Sequence, residues 1–181
     1  MKGHPGGREH SLKMLALSGL EPGSHILDMG AGAGETVELL REQGYEARGL
    51  DLQPRSPKVE QGDFLRSGLE AERFDGIISQ CAFFVSGDVP GAFKEAYRLL
   101  RAGGILMLSD VCPRKQDLRG LAEEAGFEIL VCEDMTSDWK AYYIEAIWRG
   151  TADCVPCQTK CGYFMLICRK NCRKKSKDFI K

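Results

Sequence analysis

Leu27-Asp28-Met29-Gly30-Ala31-Gly32-Ala33-Gly34 decides the fold, and Gly49-Leu50-Asp51-Leu52 completes it about twenty residues on. The first segment reads as a short buried strand, His25 to Met29, that runs into a glycine loop. A helix over Glu35 to Gln43 follows, with Gly44 behind it. Glycines at 30, 32 and 34 remove side chains where the chain turns sharply and a ligand meets backbone. The loop offers free N–H groups at a helix start, which suit a carboxylate or phosphate. The second segment, Ala47 to Leu52, reads as a strand ending on one acid. Asp51 there can accept both hydroxyls of a ribose. Together these pieces predict a site for a nucleoside-bearing ligand at the carboxyl edge of a parallel sheet.

Two nucleotide classes fit poorly. A dinucleotide fingerprint wants Gly or Ala where this chain has Glu35. A chain of 181 residues also leaves little room for a second nucleotide-binding half and a substrate domain. No Walker lysine follows the glycines, which argues against an NTPase.

Working outward, Ser11 to Leu20 reads as a helix and Glu21-Pro22-Gly23-Ser24 as a turn. Gln53 to Glu60, with Pro54 and Pro57, reads as a loop. A short third strand or turn is expected near Gln61 to Phe64. Phe74 to Cys81 reads as a strand, and Val89 to Arg101 as an amphipathic helix stopped by Ala102-Gly103-Gly104. Ile105 to Asp110 reads as a buried strand, Leu118 to Ala125 as a helix, and Phe127 to Cys132 as a strand. Ser137 or Asp138 caps a helix over Trp139 to Arg149. A polar loop from Thr151 to Lys160 leads to a last strand, Gly162 to Cys168. The alternation predicts an α/β fold with a mainly parallel sheet and room for one antiparallel strand at the edge.

Composition is that of an ordinary globular chain, 43% hydrophobic and 28% charged. The formal net charge of -1 hides an asymmetry. Arg169 to Lys181 carries seven basic residues against Asp178 alone, so the body is acidic and the tail basic. No apolar run reaches the roughly 18–20 residues of a membrane span. The N-terminus has no apolar h-region, so a cytoplasmic setting is expected, with the eight cysteines reduced.

Read as a whole, the chain resembles the class I S-adenosylmethionine-dependent methyltransferases, of the type 11-like, small-molecule and ubiquinone-type group. The matching pieces are Ile26 to Gly34, Gly49 to Asp51, Gly62 to Phe64, Phe74 to Ser79, Ala96 to Leu106 and Gly162 to Met165, in the family's order. The resemblance implies a Rossmann-like, doubly wound, mainly parallel seven-stranded sheet with a short third-strand region. It implies one domain over residues 1–170, with 1–24 as N-terminal lid and helix, and a basic tail over 171–181. It implies S-adenosylmethionine as cofactor, S-adenosylhomocysteine as product and a small-molecule acceptor. Asp28, Gly30, Ala31, Gly32 and Gly34 would surround the methionine part. Asp51 and Leu52 would hold the ribose end. Gly62, Asp63 and Phe64 would meet the adenine, and Ser79 with Gln80 would line the methyl-transfer site. The lead-in His4-Pro5-Gly6-Gly7 resembles a segment that closes over the cofactor in one bacterial subgroup.

Departures narrow the acceptor. Ser79-Gln80-Cys81-Ala82-Phe83 stands where enzymes of exocyclic base nitrogens carry N/D-P-P-Y/F, so nucleobase amino groups are disfavoured. The short loop after the second strand leaves the adenine pocket more open. Methyl transfer from a sulfonium is an in-line displacement with a neutral leaving group, so alignment dominates. The catalytic candidates are His10, Ser79 and Gln80; His25 reads as a strand-edge residue. Phe83, Phe84, Trp139, Tyr142 and Tyr143 either wall an apolar acceptor pocket or belong to the core. Cys81 reads as a buried thiol at the edge of that site. Cys154, Cys157 and Cys161 are ordinary loop thiols, a redox pair, or ligands for a metal or soft metalloid. Three other readings stay open: an RNA methyltransferase using the basic tail, a thiol or metalloid methyltransferase using the cysteine loop, and a non-catalytic binder of S-adenosylmethionine or S-adenosylhomocysteine. Nucleic acid is the less favoured partner.

Overall fold

The computed structural model describes residues 4–113, 117–150 and 161–171. Its central strands are β1 (His25–Met29), β4 (Phe74–Gln80) and β5 (Leu100–Pro113). They are rich in Ile, Leu and Met because helices cover them on both faces. β2 (Glu46–Asp51) and β3 (Glu60–Gln61) extend the sheet on one side. β7 (Cys161–Lys170) and β6 (Phe127–Asp134) extend it on the other, giving the order β3-β2-β1-β4-β5-β7-β6. β7 runs antiparallel to both neighbours. The antiparallel strand is therefore one in from the edge, not at it as the sequence suggested. A strand entering last can slot between two already placed, which chain order does not reveal.

Period-2 alternation sorts the strand side chains between two cores. Leu27, Ile77, Leu106, Leu108 and Leu166 join α3 (Val89–Leu99) and α4 (Leu118–Glu124) on one face. Ile26, Ile78, Met107, Met165 and Ile167 face α1 (Gly7–Ser18), α2 (Glu35–Glu42) and α5 (Thr136–Trp148) on the other. On the first face a row of rings runs Phe64, Phe83, Phe93, Phe127, Tyr97, with centroids 5.2–6.3 Å apart. Fully burying each such ring is worth about 1.5–3 kcal/mol. The row ties the cleft floor at Phe64 to the far end of the sheet.

Several element ends differ from expectation. α1 begins at Gly7, with left-handed Gly6 as its N-cap, and ends at Ser18 rather than Leu20. β5 begins at Leu100, directly after α3. Its pairing with β4 slips between Phe74↔Leu100 and Gly76↔Ile105, so residues 101–104 sit in a bulge. Their glycines, read as a helix stop, serve that bulge. α5 starts at Thr136 because the Asp134 carboxylate accepts the Thr136 N–H at 2.9 Å; Ser137 and Asp138 lie inside the helix. Among the described residues no helix is long and apolar enough to cross a membrane.

The chain order reverses at β1. From there it steps outward to β2 and β3, then returns to the other side of β1 as β4. The carboxyl ends of β1 and β4 flank this switch point, where open α/β sheets place their ligands.

Candidate functional site

A cleft of about 520 Å³ opens at that switch point. The β1 end supplies Asp28, Gly30, Ala31 and Gly32; the β2 end supplies Asp51, Leu52, Gln53 and Arg55. Asp63 and Phe64 follow β3, Gln80 to Ala82 follow β4, and Tyr142 with Tyr143 come from α5. Eight of the eleven expected cofactor residues thus share one cleft. Gly34, Gly62 and Ser79 do not line it.

The glycine loop is shaped from both sides. Gly30 has φ +85°, and a Cβ there would run into the Ala82 side chain. The loop at the β1 end therefore touches the loop at the β4 end without a side chain between them. Asp51 holds the loop in place. Its carboxylate accepts the Gly32 N–H at 2.8 Å and the Gln53 N–H at 2.8 Å. The Arg55 N–H donates to the Gly32 carbonyl, and its guanidinium lies where a Gly32 side chain would be. Asp63 accepts from the Leu65 N–H and caps the 3₁₀ turn 64–66. Phe64 is buried on the cleft floor, stacked on Phe83.

Asp28 is the electrostatic centre of the site. Burial first, and the Asp51 carboxylate second, push its pKa up to about 7. The described lining holds four carboxylates, Asp28, Glu35, Asp51 and Asp63, against the single guanidinium of Arg55. That set of acceptors suits a ligand with ribose hydroxyls at one end and positive charge at the other.

The expected catalytic residues separate. Ser79 is fully buried and its hydroxyl donates to the Met29 carbonyl at 2.7 Å, tying β4 to β1. His10 is buried outside the cleft; neither ring nitrogen has a hydrogen-bond partner, and burial holds its pKa down to about 4. Gln80 does line the cleft, and so do His4 and Pro5 of the lead-in. His25 is at the opposite end of β1, 3.2 Å from Glu46, in its expected edge role.

The aromatic set divides as well. Tyr142 and Tyr143 line the cleft, edge to face at 5.4 Å. Phe83 and Trp139 are core residues, and Phe84 is partly exposed outside the lining. Cys81 lines the cleft with φ +58°, a conformation rare for a side chain with a Cβ. Its sulfur lies 3.5 Å from the Tyr163 hydroxyl, and burial pushes the thiol pKa up to about 12.

Sequence reasoning passed over Asp110. It lies within β5, three residues before its end, is 1% exposed, and accepts the Phe84 N–H at 3.0 Å and the Val111 N–H at 2.7 Å. Burial raises its pKa to about 6 against these bonds. It therefore fixes the loop that carries Cys81 and Ala82. An acid ending an apolar strand was the available signal. Arg55 left no signal, since nothing in a proline-rich loop shows which way an arginine turns.

Cys154 and Cys157 lie outside the described residues, as does the tail beyond Asn171. Cys81, Cys132 and Cys168 are free thiols, but Cys161 is disulfide-bonded. The expectation that all eight are reduced fails there. It rested on compartment, which does not say which thiols meet. Among the described residues no three His, Cys, Asp or Glu side chains form a metal-holding group.

Residues 27–108 match the family model of the methyltransferase domain. Over those residues the chain is similar to the class I S-adenosylmethionine-dependent methyltransferases. A malonyl-[acyl-carrier protein] O-methyltransferase of Serratia marcescens is 29% identical over 112 residues, covering 56% of this chain and 44% of that one. An arsenite methyltransferase of Halobacterium salinarum is 24% identical over 173 residues, covering 70% and 44%. Among solved structures, phosphoethanolamine N-methyltransferase 2 of Haemonchus contortus, in complex with S-adenosyl-L-methionine, matches with a TM-score of 0.77 at 19% identity. That match covers 93% of this chain and 54% of the other. The chain spans less than half the length of the curated relatives it matches. Methyltransferases of this family use S-adenosylmethionine. The three proteins are named for three different acceptors, so the family fixes fold and cofactor and leaves the acceptor open.

Proposed function

We propose that this chain transfers the methyl group of S-adenosylmethionine to a small molecule bound beside the end of β4. The observation that carries this reading is the convergence of Asp28, Asp51, Asp63 and Gln80 on one cleft across the β1–β4 switch point. Asp51 takes the ribose hydroxyls. Asp63 and Phe64 take the adenine edge and face. Asp28 and the glycine loop take the methionine end, where a buried carboxylate is relieved by positive charge. The cofactor supplies an activated methyl group on a sulfonium.

The chain's own task is alignment. Gln80, Cys81, Ala82, Val85, Tyr142 and Tyr143 wall the acceptor half. Both nitrogens of His4, the imidazole in the lining, are already engaged by protein groups. The reading therefore favours an acceptor whose lone pair is available without a protein base: a free amine, a thiolate or a trivalent metalloid.

The test is methyl-group transfer from tritiated S-adenosylmethionine to a panel of amines, thiols, arsenite, carboxylates and RNA. Product from a small-molecule class, lost in Asp51→Ala, supports the reading. Methylated RNA instead would move the acceptor to nucleic acid. Tight cofactor binding without any product would favour a binding role.

A further inference from the structure

Four separate parts of the chain meet at the Gln80 amide. Its Oε1 accepts from the Ser11 hydroxyl of α1 at 3.2 Å and from the Thr36 hydroxyl of α2 at 3.1 Å. Its Nε2 lies 3.1 Å from His4 Nδ1 and 3.7 Å from the Met14 sulfur. His4 Nε2 in turn lies 3.1 Å from the Ser11 hydroxyl. An amide N–H can only donate, so Nδ1 accepts and the ring proton is assigned to Nε2.

His4 and Pro5 form part of the cleft wall, and His4 also borders a smaller cavity lined by Arg8, Glu38 and Glu42. The segment is thus a partition. Behind it stand two consecutive left-handed glycines, Gly6 (φ +76°) and Gly7 (φ +51°). A Cβ at Gly6 would lie 2.6 Å from His10 Cβ. This pair is a swivel between the wall and α1, and no other residue type fits at Gly6.

We propose that Gln80 is a positioning residue for methyl transfer, acting through His4 to clasp residues 4–6 as a removable wall over the methyl-transfer end. The proposal rests on the methyltransferase reading of the cleft. Neutral hydrogen bonds are individually weak, so such a wall can hold during turnover and still release for cofactor exchange. The same geometry makes the clasp sensitive to protonation. Nδ1 also lies 3.1 Å from the Pro5 carbonyl. Once protonated, it donates to that carbonyl and meets the Gln80 N–H donor to donor. Burial keeps His4 below its ordinary pKa, so the clasp is closed at neutral pH; Glu35, Glu38 and Glu42 on α2 and Arg8 and His10 on α1 are the ionisable groups around it.

The test is stopped-flow release of S-adenosylhomocysteine from the full chain. At pH 7.5, Gln80→Met and His4→Ala should each speed release about tenfold, the effect of roughly one buried hydrogen bond. The double variant should be no faster than the faster single. His4→Asn keeps an acceptor for Gln80 but does not titrate. It should release slowly and lose the acceleration that the wild type shows as the pH falls below the ordinary histidine value of 6.5. Asp28 is common to both proteins, so the difference belongs to His4. His4 precedes α1, so its variants test the clasp even if Gln80→Met misfolds. Unchanged release in His4→Ala, multiplicative effects in the double variant, or an acid response in His4→Asn equal to wild type would each overturn the clasp. Failure of the wild type to bind would instead overturn the methyltransferase reading beneath it.

Discussion

Asp28→Asn should stabilise the cofactor-free protein and weaken cofactor binding, two effects of opposite sign from one carboxylate. In the cleft the Asp28 pKa stands at about 7 against an ordinary 3.8, through burial and then through Asp51. At 1.36 kcal/mol per pH unit, the ionised group costs the empty fold on the order of 4 kcal/mol. The folded pKa lies above the unfolded one, so the folded state holds the proton more tightly. The contribution is complete below the unfolded pKa, is lost as pH rises from about 4 to about 7, and stays lost above that. The neutral amide never incurs that cost. For a chain of this size, 1 kcal/mol moves Tm by about 2–4 °C. Thermal unfolding at pH 8 should therefore show Asp28→Asn up by roughly 10 °C, with the gap narrowing toward pH 5. Calorimetry at pH 6.5, in buffers of different ionisation enthalpy, should show the wild type releasing part of a proton on binding S-adenosylhomocysteine. The variant should release none and bind at least tenfold more weakly, the loss of about one charge-assisted hydrogen bond. A variant less stable than wild type at every pH, or one that binds as tightly, would refute this reasoning.

Gly30→Ala forces a Cβ onto Ala82 at a positive φ. Denaturant unfolding should show a loss of about 1–3 kcal/mol, with weaker cofactor binding. Asp110→Ala leaves the Phe84 and Val111 N–H groups without their acceptor, at about 1–3 kcal/mol each. Its acceptor kinetics should fall more than its cofactor affinity, because the loop it fixes belongs to the acceptor half. Cys81, with its thiol pushed up to about 12, should remain largely unalkylated by iodoacetamide at pH 8 while exposed Cys132 is modified, as peptide mass mapping would show.

The glycine loop, the strand-end acids and the strand–helix alternation were legible because each has a local physical cause. Positive φ favours glycine, and a ribose site at a strand end wants a carboxylate. The methyl-transfer end was less legible. Ser79 and Gln80 are adjacent on one strand, so they point to opposite faces. Ser79 falls on the Ile77 side, in the core, and Gln80 falls on the Ile78 side, toward α1 and the cleft. Sequence named both and had no means to choose. The histidines divide for the same reason. His10 is on a buried face of α1, and His4 reaches Gln80 across 76 residues of chain, a contact that no local pattern encodes. Residues 101–104 looked like a helix stop because glycine pairs serve stops and bulges alike, and only pairing with β4 separates the two.

The central claim is most directly tested by calorimetric titration with S-adenosylmethionine and S-adenosylhomocysteine, beside NAD and the Asp51→Ala variant. Asp51 shapes the glycine loop and faces the ribose end of the cleft. The account predicts tight binding of both sulfur nucleosides, its loss in Asp51→Ala, and no binding of NAD. Binding of NAD, or no binding of either sulfur nucleoside by the wild type, would contradict it.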